Sequence, residues 1–421
     1  MKKIFLMMLM MIFVFANIAN AEIKNYTGEG EYIMSEFETL DIAKQRAKQK
    51  AERNAQEQAG VYVSSYTKIK NFQVQEDEII AITSGILKIL DVQYKLTPLD
   101  DGKSVLIFAK IKASINSDDV NKWLKKGVEQ RSELARQNEE LRKAIAEQDK
   151  KIAELQKQVA NVKTLQEKEK ITKEFSEEDK IFLSNQKLEE AAKFYEQGDY
   201  NSVILLCTQA IELNPDNSIA YGVRGDAYYD LKNYEQAISN YTQIIQLNPN
   251  DFQAFHNRGV TYERLENYSQ TILDYTQAIK LNPNYAEAYC NRGFTYHKLR
   301  NYDYAIMDFN KAIQLNSNNS NAYKVRGACY LFKEKYHKAI SDFTNAIRID
   351  QKDIKSYFGR GWSYFRLKNY KQALSDLNKA IELSPNDGFL YKARGEIYIE
   401  LGENKKAKID FAKAKKLGYN P

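Results

Sequence analysis

From residue 184 to the C-terminus, small, aromatic and apolar positions return every 34 residues. Gly225, Gly259, Gly293, Gly327, Gly361 and Gly395 keep this spacing, with Tyr228, Tyr262, Tyr296, Tyr330, Tyr364 and Tyr398 three residues behind them. Ala237, Thr271, Ala305, Ala339, Ala373 and Ala407 follow at the same period, and an aromatic or leucine stands four residues after each. Pro215, Pro249, Pro283 and Pro385 close units, with Ser317 and Gln351 at two of the joints. The pattern predicts pairs of antiparallel helices that start near 184, 218, 252, 286, 320, 354 and 388. Before them, 118–173 is charged, free of proline and apolar at heptad spacing, while 22–117 mixes alternating and helical patterns.

Each repeated position has a physical job. Glycine and alanine let the two helices of a unit approach, the aromatics fill the space between units, and proline stops the second helix. One such unit cannot bury its apolar face alone, so neighbours must stack. These residues closely resemble the tetratricopeptide repeat family over 184–421, in seven units. The first is degenerate, with Ala191 for the glycine but Gly198-Asp199-Tyr200 and Pro215 in frame. The resemblance implies a mainly α fold, a right-handed superhelix whose first helices line a concave groove. It places Phe294, His297, Leu331, Phe332, Phe358, Trp362, Phe365 and Arg366 in that groove, as a local aromatic cluster fit for a protein or peptide partner. Arg224, Arg258, Arg292, Arg326, Arg360 and Arg394 recur beside Asp274, Asp308, Asp342, Asp376 and Asp410. Half-buried guanidinium groups need carboxylates, so these columns are expected to pair with each other rather than hold a ligand.

In 22–117 the pattern predicts strands at 22–34, 61–66, 86–94 and 105–113, and a helix at 40–60 with Ala43, Ala47, Ala51 and Ala55 one turn apart. Asp101-Gly102 is a hairpin turn. This small α+β domain, through Arg53-Asn54-Ala55, Gly60-Val61-Tyr62-Val63 and Gly85-Ile86-Leu87, resembles the LPP20 lipoprotein family and the N-terminal domain of the flagellar protein T family. Those likenesses imply envelope assembly without catalysis. The lipoprotein cysteine of that family is missing, which counts against a membrane-anchored role.

Over 118–173, Asn138, Ile145, Ile152 and Val159 alternate with Leu134, Leu141, Gln148, Leu155 and Val162 in a heptad seam. Isoleucine and leucine at these places, with one asparagine, predict a coiled-coil helix that joins two copies, or three. The same face could instead fold back on the repeats. Residues 174–183 read as a linker.

Composition adds three constraints. Lys2 and Lys3, an apolar run from Ile4 to Ala16 and Ala19-Asn20-Ala21 read as a signal peptide cut after Ala21, which places the protein in the periplasm or outside the cell with no integral span afterwards. A net charge of +6 is too weak a field over 421 residues to argue for nucleic acid. Cys207, Cys290, Cys329 and His256, His297, His337 stand at no metal-ligand or catalytic spacing. The reading is an exported scaffold without catalytic residues, metal or cofactor; the alternative is a structural subunit of an envelope or flagellar assembly.

Overall fold

The computed structural model describes residues 22–69, 74–101, 103–125, 128–159, 162 and 164–419, with the side chains of 69 and 128–134 left aside. The expected leader, the side chain of Leu134 and Gly102 of the hairpin turn lie outside the described residues. The chain is mainly α and divides into two compact units, 1–232 and 233–421.

The first unit holds β1 (Ile23–Met34), α1 (Leu40–Ile69), α2 (Glu76–Ile86), β2 (Lys88–Pro98), β3 (Val105–Asn116), α3 (Ser117–Leu124), α4 (Val128–Val159), α5 (Leu165–Gln197), α6 (Tyr200–Leu213) and α7 (Ser218–Asp230). The strands form one antiparallel sheet in the order β1-β3-β2. Ile107, Ala109, Ile111, Ala113 and Ile115 alternate inward from β3 while Lys110 and Lys112 face solvent. The alanine row of α1 is fully buried against β1. Contact there is so close that a Cβ on Gly28 would lie 2.0 Å from the Ala51 carbonyl oxygen, and one on Gly30 2.4 Å from that of Ala47. Small residues on both elements are what let helix and sheet meet.

The structure corrects several of these expectations. Residues 61–66 are not a strand: α1 runs on to Ile69, because the buried column at four-residue spacing continues through Ala59, Val63 and Thr67. Val61, which a strand would have put on the face of Val63, is 70% exposed. The strand expected at 86–94 starts later, at Lys88, because 76–86 forms α2, closed at its start by a reciprocal cap between Gln75 and Glu78. Finally, 118–173 is not one helix. Asn116 caps α3, and Thr164 and Glu167 cap α5 reciprocally, so the chain turns back between α4 and α5. The expected linker 174–183 lies inside α5.

That turn redirects the heptad seam. Leu141 and Ile145 are buried with Leu188, Ala191 and Tyr195 of α5, beside α6 and α7. Ile152 and Leu155 are buried with Ile171 and Phe175 of α5 and with the α+β core, where Val159 and Val162 also pack. Asn138 lines a cleft beside them. The face expected to join copies is therefore occupied within the chain: Leu141 and Ile145 fold back on the first repeat unit, as the alternative has it, whereas Ile152 and Leu155 meet the start of α5 and the α+β core.

The second unit consists of α8 (Tyr234–Leu247), α9 (Phe252–Arg264), α10 (Tyr268–Leu281), α11 (Ala286–Lys298), α12 (Tyr302–Leu315), α13 (Ser320–Phe332), α14 (Tyr336–Ile349), α15 (Ile354–Arg366), α16 (Tyr370–Leu383), α17 (Gly388–Glu400) and α18 (Asn404–Lys416). First helices of the pairs begin at the expected 252, 286, 320, 354 and 388. Gly327 brings α13 against α14, where a Cβ would sit 3.2 Å from the Phe343 ring. Each turn between paired helices passes through a left-handed residue, and at Glu266, Arg300, Glu334 and Lys368 that residue is not glycine. Two backbone bonds close such a turn: Glu334 N donates to Leu331 O at 3.0 Å and Lys335 N to Tyr330 O at 2.8 Å.

The arginine and aspartate columns do pair. In Arg326, Nε and Nη2 donate to the two carboxylate oxygens of Asp342 at 2.8 and 2.7 Å, and Nη1 donates to Asn310 Oδ1 on the preceding unit's second helix at 2.7 Å. Arg258, Arg292, Arg360 and Arg394 repeat this fork on Asp274, Asp308, Asp376 and Asp410. Each guanidinium thus links three helices and fixes both the pairing within a unit and the step to its neighbour.

Candidate partner-binding face

The sequence-picked residues fall into two groups of rings on the first helices of the second unit. In the first, His297 lies 5.8 Å from Tyr302 and 6.3 Å from Phe332, and Phe332 stacks almost parallel on Tyr302 at 5.2 Å. Phe332 is 62% exposed, a large apolar surface kept in solvent. In the second, Phe358, Trp362 and Phe365 follow one another along α15, at 6.1 and 4.9 Å between ring centres. The run continues to Phe389 at 5.0 Å from Phe358, and to Tyr419 at 5.8 Å from Phe389.

Other members of the set do different work. Phe294 meets the buried Phe309 edge-on at 5.2 Å and supports the core. Leu331 is half-buried and Arg366 exposed. The Arg366 guanidinium lies 5.1 Å above the Tyr336 ring and reaches Glu334 at 3.3 Å. His297 is half-buried, and desolvation holds its imidazole below the ordinary histidine range, so it is a neutral packing ring at pH 7. His256 belongs to the interior: it meets the Tyr285 hydroxyl at 3.3 Å and the Asn291 amide at 3.0 Å.

The residues that sequence reasoning missed are Tyr302, Tyr336 and Tyr370, each the first residue of a second helix. Their signal was available, since Tyr200, Tyr234, Tyr268, Tyr302, Tyr336 and Tyr370 also stand 34 residues apart. A side chain from the end of the next unit's first helix covers successive members: Lys298 over Tyr268 at 5.8 Å, Phe332 on Tyr302, Arg366 over Tyr336. The tyrosine column is a constant platform, and the covering residue changes from cation to phenyl to cation. The arrangement can offer a partner flat aromatic area with cationic groups beside it.

A cleft of about 720 Å³ opens in the first unit among α1, α2, α4 and α5. Its walls mix Glu52, Glu139 and Glu189 with Arg53, Arg142 and Lys193. Burial, then the charge of Glu52, pushes the Glu189 carboxyl up to about 7, although Gln49 Nε2 donates to it at 3.2 Å. The folded chain therefore holds a proton that the unfolded chain releases near 4.5, and stability is lost as pH rises from there to about 7. Glu189→Gln is expected to lie within about 1 kcal/mol of the parent at pH 5 and to exceed it by about 1–3 kcal/mol at pH 8 in urea denaturation. A variant weaker than the parent at pH 8 would mean that the carboxylate is held by its basic neighbours.

Among the described residues, no group of three His, Cys, Asp or Glu side chains is placed to hold a metal ion. No helix among them is long and apolar enough to cross a membrane. Family models described as tetratricopeptide repeat match 206–239, 286–319, 321–353, 354–387 and 390–417, and one described as TPR repeat matches 225–266 and 264–299. No curated protein matches the chain. Among solved structures, YrrB, a TPR protein with an unusual peptide-binding site, is 24% identical, covers 44% of this chain and 94% of its own, and gives a TM-score of 0.41. A tetratricopeptide repeat protein from Parabacteroides merdae is 26% identical, with 56% and 94% covered and a TM-score of 0.43. MamA is 22% identical, with 38% and 94% covered and a TM-score of 0.37.

Proposed function

We propose, from the premise that this chain belongs over residues 206–417 to the tetratricopeptide-repeat family, that it is a non-catalytic scaffold holding a protein or peptide partner on the aromatic face of α11, α13 and α15. The observation that carries this reading is the flat, 62% exposed Phe332 on Tyr302, next to Arg366 over Tyr336. An isolated fold gains nothing from leaving a phenyl ring in water beside a cation. A partner that covers the ring does gain, because buried aromatics and arginines dominate interface energies. The export reading belongs to the same proposal and rests on residues 1–21.

Two variants of the full chain test it by capture from a cell-envelope extract. Phe332→Ala with Arg366→Ala alters exposed side chains only, and Phe358→Ala with Trp362→Ala and Phe365→Ala alters half-buried ones. Proteins held by the parent are expected to bind each variant about 30-fold more weakly or worse, as for hot-spot residues worth about 2 kcal/mol or more. Circular dichroism must show the parent's helicity in the first variant. Equal capture by parent and first variant would remove the aromatic face from the reading and leave a structural subunit as the better account.

A further inference from the structure

We propose that the outer edge of β2 pairs antiparallel with β2 of a second copy of this chain, about a two-fold axis at Gln93, extending the three-stranded sheet to six strands. Among the described residues β2 is an edge strand, hydrogen-bonded only to β3. Such an edge offers a row of unpaired backbone N–H and C=O groups to another chain. It also carries apolar side chains in solvent: Leu90 is 61% exposed, Leu96 41% and Tyr94 37%.

The sequence of this strand is self-complementary in one register. If the two helix-covered faces lie on the same side of a continuous sheet, opposed residues must share parity, so the register can shift only in steps of two. With Gln93 opposite Gln93, Asp91 lies opposite Lys95 twice, and Val92 lies opposite Tyr94 twice. Leu90, at the bulge between Ile89 and Asp91, then comes beside Leu96. A shift in one direction sets Asp91 against its partner's Gln93, and in the other against Thr97, losing both ion pairs. Opposite charges and aromatic or branched pairs directly across a ladder each stabilise it. The bulge at one end and Pro98 at the other confine pairing to the middle of the strand and blunt its ends. Because the edge pairs with itself, the contact is isologous and closes at two copies. Self-association would thus run through the sheet, not through the heptad seam, which is buried within each chain.

Sedimentation of the full chain over a dilution series tests this. A dimer is expected for the parent. Asp91→Lys should weaken it about ten-fold or more, since two attractive pairs become two repulsive ones. Asp91→Lys combined with Lys95→Asp should restore it. Under mild oxidation Gln93→Cys should crosslink to its own copy, because directly opposed strand positions lie within disulfide reach. Thr97→Cys should not, and the native Cys207, Cys290 and Cys329 are buried. A chain that is monomeric throughout the series overturns the proposal. So does a dimer that Asp91→Lys leaves intact, or a Gln93→Cys chain that crosslinks only to other proteins.

Discussion

Arg326→Met should cost about 3–5 kcal/mol, the range found when one partner of a buried ion pair is removed. The methionine keeps much of the apolar stem and loses the fork, so the Asp342 carboxylate is left without either guanidinium bond, and Asn310 loses its donor. Asp342 is buried, and burial already raises its carboxyl against the opposing pull of Arg326. Without the arginine it rises further, and protonation becomes the way out. The deficit should therefore be smaller at pH 5 than at pH 8. Arg326→Lys should recover little, because an ammonium cannot reproduce the planar two-bond contact while also reaching Asn310. Arg326→Met with Asp342→Leu should regain most of the loss, since a packed apolar pair needs no desolvation of charge. Urea denaturation followed by circular dichroism measures all four chains. A loss below about 1 kcal/mol in the single variant would place the column among exposed pairs, and would free these arginines for the ligand role that the geometry now assigns to structure.

What could be read from the sequence divides along a physical line. Residues that recur at a fixed period report a repeated environment, so the helix starts, the close approach at Gly327 and the Arg–Asp pairing were all visible beforehand. The tyrosines at 302, 336 and 370 repeat just as strictly, but they belong to second helices, and attention to first-helix positions passed over them. The candidate face was therefore half legible: Phe332 and Arg366 stood out in the sequence, and the Tyr302 and Tyr336 rings they cover did not. In the first unit, the heptad pattern marked correctly which face of α4 is apolar. A seam of Leu141, Ile145, Ile152 and Leu155 has the same chemistry whether it meets a second copy or α5, so periodicity could not name its occupant. Val61-Tyr62-Val63 misled through branched and aromatic strand propensity, which tertiary packing overrode by continuing the buried column from Ala59 to Val63 and Thr67. The exposed edge of β2 is a property of strand order, and no local pattern announces which strand ends a sheet.

Arg46→Met is expected to destabilise the first unit by at least as much as any change in the repeats, about 3–5 kcal/mol. Arg46 is buried on α1 and serves two carboxylates at once: Nη1 reaches Glu38 Oε1 at 3.1 Å and Nη2 reaches Asp179 Oδ1, on α5, at 2.9 Å. Nη1 also donates to the Tyr32 hydroxyl at 3.0 Å, and that hydroxyl donates to Glu38. Gln156 of α4 reaches the same hydroxyl at 3.2 Å and Ile33 O at 2.7 Å. The guanidinium lies 5.0 Å from the Phe182 ring centre. One cation thus joins β1, α1 and the α4–α5 hairpin, and its removal leaves two largely buried acids without their shared partner. Burial pushes the Asp179 carboxyl up to about 6; Arg46 pulls it down, and Glu38 adds to the rise. A folded value above the ordinary 3.8 means that stability falls as pH climbs from there to about 6. Asp179→Asn keeps an acceptor for Arg46 and removes that penalty, so it should be neutral or stabilising by about 1–2 kcal/mol at pH 7 and should flatten the pH profile between 4 and 6. Arg46→Met should show the reverse sign, with a deficit that shrinks toward pH 5 as Asp179, freed from the pull of Arg46, takes up a proton. Hydrogen exchange separates a local effect from a general one: faster exchange confined to α5 would mean that Arg46 holds the hairpin onto the sheet domain. Uniform acceleration through the unit would instead make the network part of its one cooperative core.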